Sequence, residues 1–349
     1  MNAHPRTAPQ FEAATAGESP PERPDLAVVA AGSGRMGRSM AVAFAYAGVK
    51  VTLLDLKARN EQGAHAQREQ ALAEIDDHLG SLNRAGLIGA SDIDRIAGRI
   101  RFCARDEAAQ ALAGAGLVFE AVPERIADKR AAFELIESLC PPACIIASTT
   151  SSMLAPELAT LLAGPARFLN AHWLNPAYLV PIVELSPHPG TAASALESTR
   201  RMLESIGKVP VDCAPSPGYI VPRLQALVMN EAARMVEEGV ASAADIDRAV
   251  KLGFGMRYAS MGLLEFIDYG GLDILYYAGR YMADKVSDQR YATPAIVEQL
   301  MAGGELGLRS GQGFYDWRAI DASAYRDRLL GRFAAQLRSE GLLRPPAGD

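Results

Sequence analysis

A glycine-rich turn set between an apolar run and a helix-forming stretch limits the fold of this chain more than any other feature. Residues 26–30, LAVVA, lead into Gly32-Ser33-Gly34-Arg35-Met36-Gly37, and the stretch RSMAVAFAYAG then leads to a second apolar run, VTLLD, at 51–55. The pattern is β-α-β, the unit of a parallel sheet. A G-x-G-x-x-G is weak alone, and its position at the first strand-to-helix turn gives it weight. Each glycine has a physical task there: a tight turn, close backbone approach to a pyrophosphate, and close packing of helix on strand. The helix N-terminus offers free N–H groups to the anion. The competing reading is a glycine turn in an α/β protein that holds no nucleotide. Asp55 ends the second run. A carboxylate there accepts ribose hydroxyls and repels a 2′-phosphate, which points to NAD over NADP. Lys57 is the nearby cation that weighs against this, and a helix N-cap is the other reading of Asp55.

Alternation continues beyond the first unit. A long polar helix is expected around 59–85, with Leu72, Ile75, Leu79 and Leu82 at helical spacing. Strands are expected at 100–103, 117–122, 144–148, 168–173 and 181–186, with helices at 106–114, 125–139, 155–163 and 191–207 between or after them. VPVDC then closes an α/β half. Pro215, Pro217 and Gly218 mark a change of regime, after which strand signals fade. Ile220, Leu224, Leu227 and Val228 begin a helical apolar face, and helices are expected at 244–252, 261–268, 271–286 and 293–302. Tyr325, Leu329, Phe333 and Leu337 recur at four-residue spacing, an amphipathic helix. The expected organisation is a flexible leader at 1–24, an α/β Rossmann domain at 25–214, an all-α C-terminal domain at 215–318 and a helical tail at 319–349. The tail either packs on its own domain or makes a subunit contact.

Composition narrows the function classes. Among 349 residues, 35 Lys plus Arg against 41 Asp plus Glu leave a net charge of -6, which argues against a nucleic-acid partner bound by bulk positive charge. No apolar run approaches the roughly 18 residues that span a bilayer. The first 24 residues lack an apolar h-region, so no secretory signal is expected and the expected location is cytoplasmic. The four cysteines read as ordinary buried thiols, with Cys140 and Cys144 lacking redox or zinc spacing. No H-x-x-H, H-E-x-x-H or Cys/His cluster supports a metal.

A second constellation carries the chemistry. Glu120-Ala-Val-Pro-Glu124 follows the fourth expected strand, with Lys129 beyond it. Ser148-Thr-Thr-Ser151-Ser152 follows the fifth, and His172-Trp-Leu-Asn175-Pro176 lies at the end of the sixth. These are carboxyl ends of strands, where open α/β sheets bind ligands. Glu184, on the seventh strand, is the exception. Hydride transfer from an alcohol without zinc needs a base, and histidine suits that near neutral pH. A carboxylate can fix its tautomer, and a hydroxyl or amide can stabilise the alkoxide-like oxygen. His172, Glu184, Ser151 and Asn175 can fill these roles. The plain readings are a structural histidine and a helix-capping serine. His4, His65, His78 and His188 sit in polar contexts and are read as structural.

With these motifs in view, the chain resembles the L-3-hydroxyacyl-CoA dehydrogenase family, including its 3-hydroxybutyryl-CoA dehydrogenases. The resemblance runs from about residue 26 to 317. It rests on the glycine loop, E-A-V-P-E, T-S-S at 150–152, H-x-x-N-P with Glu184 beyond it, P-G-Y-I-V at 217–221, and Gly311-Gln-Gly313-Phe314-Tyr315-Asp-Trp317. It implies a Rossmann domain followed by a helical domain that usually forms a homodimer, with substrate and nicotinamide meeting between the two. It implies that His172 is the base, that Glu184 is its partner, and that Ser151 contacts the substrate hydroxyl and the nicotinamide side of the cofactor. It further implies that Asn175 helps position the nicotinamide and that Glu124 and Lys129 line the NAD site. Arg309 stands where the family often has a lysine near the cofactor.

Departures from the family pattern bear on substrate. Pro222 replaces an Asn associated with substrate binding, and Thr149-Thr150-Ser151 replaces Asn-Thr-Ser. Proline is tolerated in a first helical turn but supplies no donor. No lysine occurs between Lys57 and Lys129, where CoA-using members often carry them, and Glu74, Asp76 and Asp77 stand there instead. Arg68 and Arg84 can compensate. The segments 175–184 and 253–259 resemble the branch acting on free hydroxy acids, which includes L-gulonate 3-dehydrogenase (lambda-crystallin) and carnitine dehydrogenase. Arg257 in the second segment either pairs with a free carboxylate or is a structural arginine. The expected reaction is NAD-dependent oxidation of a 3-hydroxyl to a 3-oxo group, on a CoA thioester or a free acid. The β-hydroxyacid dehydrogenases are a poorer match, because they need a lysine on the first interdomain helix and none occurs between Lys208 and Lys251. An NAD-binding structural or sensing protein is the non-enzymatic alternative.

Overall fold

The computed structural model describes residues 6–9 and 22–344. The chain divides into two compact units, residues 17–230 and residues 231–349 together with 1–16.

The first unit is α/β. Its strands and helices alternate as β1 (Val28–Ala31), α1 (Arg35–Tyr46), β2 (Val51–Leu54), α2 (Glu61–Arg84), α3 (Ala90–Ala97), β3 (Ile100–Cys103), α4 (Ala108–Leu112), β4 (Leu117–Glu120), α5 (Ile126–Leu139), β5 (Ile145–Ser148), α6 (Ala155–Ala159), β6 (Phe168–Trp173), β7 (Ile182–Pro187), α7 (Ala193–Ser205) and β8 (Val209–Asp212). The strands form one sheet in the order β3-β2-β1-β4-β5-β6-β7-β8. β1 to β6 are parallel, whereas β7 runs antiparallel to β6 and parallel to β8. The order reverses between β1 and β4, so a crevice opens at their carboxyl ends.

Burial explains the composition of these strands. Val28 and Ala30 pack in one core with Met40, Phe44, Phe119 and Trp173. Val29 and Ala31 point the other way, into a second core with Leu54, Phe133 and Phe168. Both faces of a parallel sheet are covered by helices, so its strands read as continuous apolar runs instead of alternating ones. Phe44, Phe119 and Trp173 meet with centroids 5.5–5.8 Å apart, within the range of favourable aromatic contact. α3 lies in a stretch for which the sequence suggested no element. It is a short helix that opens on a glycine and buries chiefly Ile96; at eight residues it spans little more than two turns, too short for a helical repeat to recur.

A long helix, α8 (Val221–Glu237), begins in the first unit and ends in the second. The second unit is helical: α9 (Ala243–Ala249), a π-helical stretch at Val250–Gly255, α10 (Met256–Ser260), α11 (Leu263–Gly270), α12 (Leu272–Lys285), α13 (Asp288–Tyr291), α14 (Ala295–Ala302) and α15 (Ala322–Ser339). Met261, Trp317, Tyr325 and Leu329 form one of its cores, so the tail helix packs within its own unit. Asp268, 1% exposed, organises the chain that precedes the tail. Its carboxylate accepts from the backbone N–H groups of Phe314 (3.0 Å) and Tyr315 (2.9 Å) and from the Trp317 indole (2.8 Å).

Most of the leader expected at 1–24 lies outside the described residues. Residues 6–9 lie against the helical unit: Arg6 pairs with Glu305 at 2.5 Å, and the Thr7 carbonyl accepts from the Asp316 N–H. Residues 345–349 of the expected tail also lie outside the described residues. Cys103, Cys140 and Cys144 are buried, whereas Cys213 is only partly so, because it follows the edge strand β8. Among the described residues, no helix is long and apolar enough to cross a membrane.

Candidate active site

The glycine turn joins β1 to α1. Gly32 adopts φ 123°, and its N–H donates to the Leu54 carbonyl at 2.8 Å. A Cβ at Gly32 would lie 2.6 Å from the Ala121 carbonyl oxygen, and one at Gly37 only 1.8 Å from the Gly32 carbonyl oxygen. A Cβ at Gly34 would meet nothing within 4 Å. Two glycines thus serve the protein's own packing, and the third faces open space. No side chain caps α1 and no acid occupies its first turn, so its first N–H groups are available to an anion. Ser33 is fixed by Arg38, which donates to its carbonyl at 2.9 Å, and by Gln67, which donates to its hydroxyl at 3.1 Å.

Asp55 lies just past β2 and is 5% exposed. Lys57 does not supply its cation. Arg59 does, donating from Nε to Oδ2 at 2.7 Å, while Lys57 offers only its backbone N–H at 3.3 Å. The i,i+4 spacing of Asp55 and Arg59 is the sequence signal for this ion pair.

Past β4 and β5 lies a buried polar network. Lys129, 1% exposed, donates to both Glu120 carboxylate oxygens at 3.0 Å. Ser148 and the Val122 N–H also donate to Glu120, at 2.7 and 2.6 Å. An ion pair this deep persists because further hydrogen bonds satisfy its remaining lone pairs. Glu120 was read as part of a motif, and its role as Lys129's partner is visible only once β4 and α5 are folded together. Glu124 holds the next loop, accepting from the Thr150 hydroxyl (2.7 Å), the Ser151 N–H (2.6 Å) and the Ser151 hydroxyl (3.2 Å). Burial alone would raise the Glu124 carboxyl, but these hydrogen bonds and the Lys129 charge hold it below the usual carboxylate range. Ser151 does not cap α6, whose N-cap is Leu154.

His172 lies near the end of β6, opposite Glu184 in the antiparallel register. Its Nδ1 is 2.7 Å from Glu184 Oε2, with Glu184 fully buried and His172 7% exposed. The reversal of β7 brings Glu184 to the same sheet edge as the other groups. The second Glu184 oxygen accepts from the Ile220 and Val221 N–H groups at 2.9 and 2.8 Å, at the start of α8. Pro222 is the second residue of that helix, where no N–H is missed.

Asn175 precedes a cis bond to Pro176. The loop beyond is pinned at Ala177, whose N–H donates to the Ser39 hydroxyl (2.7 Å) and whose carbonyl accepts from Lys208 (2.6 Å). Lys208 also donates to the Val180 carbonyl, and burial pushes its ammonium down to about 8. Neither Ser39 nor Lys208 carries a sequence signal for this task.

A cavity of about 590 Å³ brings together Gly32, Ser33, Gly34, Arg35, Met36, Asp55, Glu124, Lys129, Ser151, His172 and Asn175. Gly37 is absent from its lining because it faces the turn itself. Arg309 and Arg257 belong to the helical unit. Arg309 pairs with Asp273 at 2.8 Å, and the Arg257 guanidinium lies 5.5 Å from the Phe266 ring centroid.

The chain matches known proteins over both units. A model of the 3-hydroxyacyl-CoA dehydrogenase NAD binding domain matches residues 26–216. A model of the 3-hydroxyacyl-CoA dehydrogenase C-terminal domain matches residues 218–317. Lambda-crystallin of Oryctolagus cuniculus is 35% identical over 256 residues, covering 73% of this chain and 77% of its own length. The 3-hydroxyadipyl-CoA dehydrogenase of Escherichia coli is 34% identical over 293 residues, covering 84% of this chain, which spans 59% of that longer protein. The structure of a 3-hydroxyacyl-CoA dehydrogenase from Archaeoglobus fulgidus superposes with a TM-score of 0.71 at 30% identity, over 91% of this chain and all of the other.

Proposed function

Because the chain belongs to the 3-hydroxyacyl-CoA dehydrogenase family, NAD-dependent oxidoreductases acting on CH–OH groups, we propose that it oxidises the 3-hydroxyl of a hydroxyacyl substrate to a ketone with His172 as base. The observation that carries this reading is the His172–Glu184 pair at 2.7 Å, on the wall of the cavity that the glycine turn opens. The uncapped start of α1 and the open space over Gly34 suit a dinucleotide pyrophosphate, and Asp55 suits the ribose hydroxyls. Bound nicotinamide supplies the hydride acceptor. Glu184 accepts a hydrogen bond from Nδ1–H, which leaves Nε2 as the acceptor for the substrate's hydroxyl proton, and its carboxylate offsets the imidazolium charge. Ser151 and Asn175 line the same cavity and are assigned to hold the substrate oxygen and the nicotinamide.

His172→Gln is expected to lower kcat by about a hundredfold or more while NAD affinity persists. Near-normal turnover would overturn the base assignment.

The substrate carries a CoA thioester or a free carboxylate at C1. The net acid charge of α2 favours the second: Glu61, Glu69, Glu74, Asp76 and Asp77 outnumber Arg68 and Arg84, and no lysine occurs from residue 58 to 128. An NADH-absorbance assay across 3-hydroxyacyl-CoAs and free 3-hydroxy acids separates the two. The same panel tests the non-enzymatic alternative, for which no turnover with tight NAD binding is the expected result. The helical unit is proposed to form a homodimer, supported by Ile274, Tyr277 and Tyr281, each more than 60% exposed along one face of α12. A monomer by light scattering would overturn that.

A further inference from the structure

We infer that Tyr219 is a positioning residue for His172, and that its hydroxyl ties the strand bearing the base to the loop bearing Ser151. The inference rests on the reading of His172 as base.

Glu184 fixes the imidazole by one ring nitrogen. A single edge contact leaves the ring free to rock about that bond. Tyr219 covers a face: the two ring centroids are 5.2 Å apart and their planes differ by 14°. An imidazole stacked on an aromatic face keeps its plane. When the base takes up a proton, the resulting cation meets the negative face of the ring. The hydroxyl places Tyr219 in turn. It donates to the Thr150 carbonyl at 3.0 Å and accepts from Asn170 Nδ2 at 2.9 Å. Asn170 lies on the same face of β6 as His172, and Thr150 precedes Ser151. One hydroxyl therefore spans the strand of the base and the loop of the serine.

The backbone agrees. Among the described residues, Tyr219 is the non-glycine residue with a positive φ, at 46°, and it follows Gly218 at 76°. Such a backbone persists in a bulky residue when its surroundings over-determine it. Here the two succeeding N–H groups are held by Glu184 and the side chain, 5% exposed, is held by the stack and the two hydroxyl bonds. The turn that aims Tyr219 at the imidazole thus also presents Ile220 and Val221 to the carboxylate that orients it.

The test compares wild type, Tyr219→Leu, Tyr219→Phe and His172→Gln, each as the full chain. Tyr219→Leu is expected to lower kcat about five- to tenfold with the KM for NAD unchanged. Tyr219→Phe keeps the stack and is expected to restore kcat to within about twofold, while raising the KM for the hydroxy substrate because the Ser151 loop loses its tie. Inactive His172→Gln together with wild-type kcat in Tyr219→Leu overturns the inference and leaves the base assignment standing. Active His172→Gln overturns the base assignment itself. A Phe variant no better than the Leu variant refutes the stack as the cause. Should Tyr219→Leu fail to fold, proton NMR of wild type decides. The His172 ring protons, identified by their loss in His172→Gln, are expected upfield under the tyrosine ring current, and ordinary imidazole positions overturn the inference.

Discussion

Replacing Gly37 and Gly34 one at a time by alanine separates the two tasks of the dinucleotide turn. Gly37 lies inside α1, where alanine is ordinarily favoured over glycine by ~0.5–1 kcal/mol. Its Cβ would lie 1.8 Å from the Gly32 carbonyl oxygen, about 1.2 Å inside the 3.0 Å below which real Cβ contacts essentially do not occur. The neighbour is backbone in the tightest part of the turn, so β1 and α1 must separate. Overpacking of this kind costs about 1–3 kcal/mol, which for a chain this size lowers Tm by roughly 1–4 °C. Gly34 is the N-cap, with φ -75°, a conformation alanine adopts, and its Cβ would meet nothing within 4 Å. Gly34→Ala is therefore expected to keep Tm within about 2 °C but to weaken NAD binding by at least about tenfold, since the methyl occupies the approach of the pyrophosphate. The assay pairs thermal unfolding without NAD with NAD titration by fluorescence. A Tm for Gly37→Ala equal to or above wild type would refute the packing argument. Unchanged NAD affinity in Gly34→Ala would refute the placement of the pyrophosphate.

Three further outcomes follow from the geometry. Asp55→Ala removes the carboxylate proposed for the ribose and frees Arg59, so the KM for NADP should fall relative to that for NAD in steady-state assays; an unchanged ratio counts against the assignment of Asp55. Asp268→Ala strands the Phe314, Tyr315 and Trp317 donors, and urea unfolding should show a loss of about 3 kcal/mol or more; a loss under about 1 kcal/mol would show that the segment does not depend on this carboxylate. Burial sets Lys208 to about 8 against its ordinary 10.5. The unfolded chain therefore holds more protons between those two values, and the contribution of Lys208 to stability improves as pH rises through that window. The urea midpoint of wild type should gain on that of Lys208→Met between about pH 8 and 10, and a constant difference would contradict the lowering of this ammonium by burial.

Legibility in the sequence followed the range of the interactions. The glycine turn, the first β-α-β unit and Asp55 were readable because each is local: Val28–Ala31 and Arg35–Tyr46 are set by runs of small and apolar residues a few positions apart. The edge carrying Glu120, Ser151 and His172 was readable because parallel strands send their carboxyl ends one way. Glu184 did not fit that rule, because nothing in IVELSP announces that β7 reverses direction. Arg59 is local too, but spacing alone does not decide between its guanidinium and the Lys57 ammonium as the partner of Asp55. Tyr219, Ser39 and Lys208 lay beyond reach for a different reason. Their partners stand between 28 and 138 positions away in the chain, and no periodicity records a contact of that kind. The acid charge on α2 was visible as composition, whereas its pairing with Arg38 was not.

The antiparallel pairing of β6 with β7 separates what can change in this protein from what cannot. His172 meets Glu184 because the two strands are in one particular register, and successive side chains alternate between faces. Slipping β7 by one residue would send Glu184 into the apolar layer now filled by Val183 and Leu185. The loop between the strands, residues 174–181, carries Asn175 into the cavity and is tied at Ala177 and Val180 to Ser39 and Lys208. Changes to its unpinned, exposed side chains, Leu179 among them, would leave the strand register, and with it the His172–Glu184 pair, untouched. A designer would treat the pairing of the two strands and those loop ties as the coordinates not to edit.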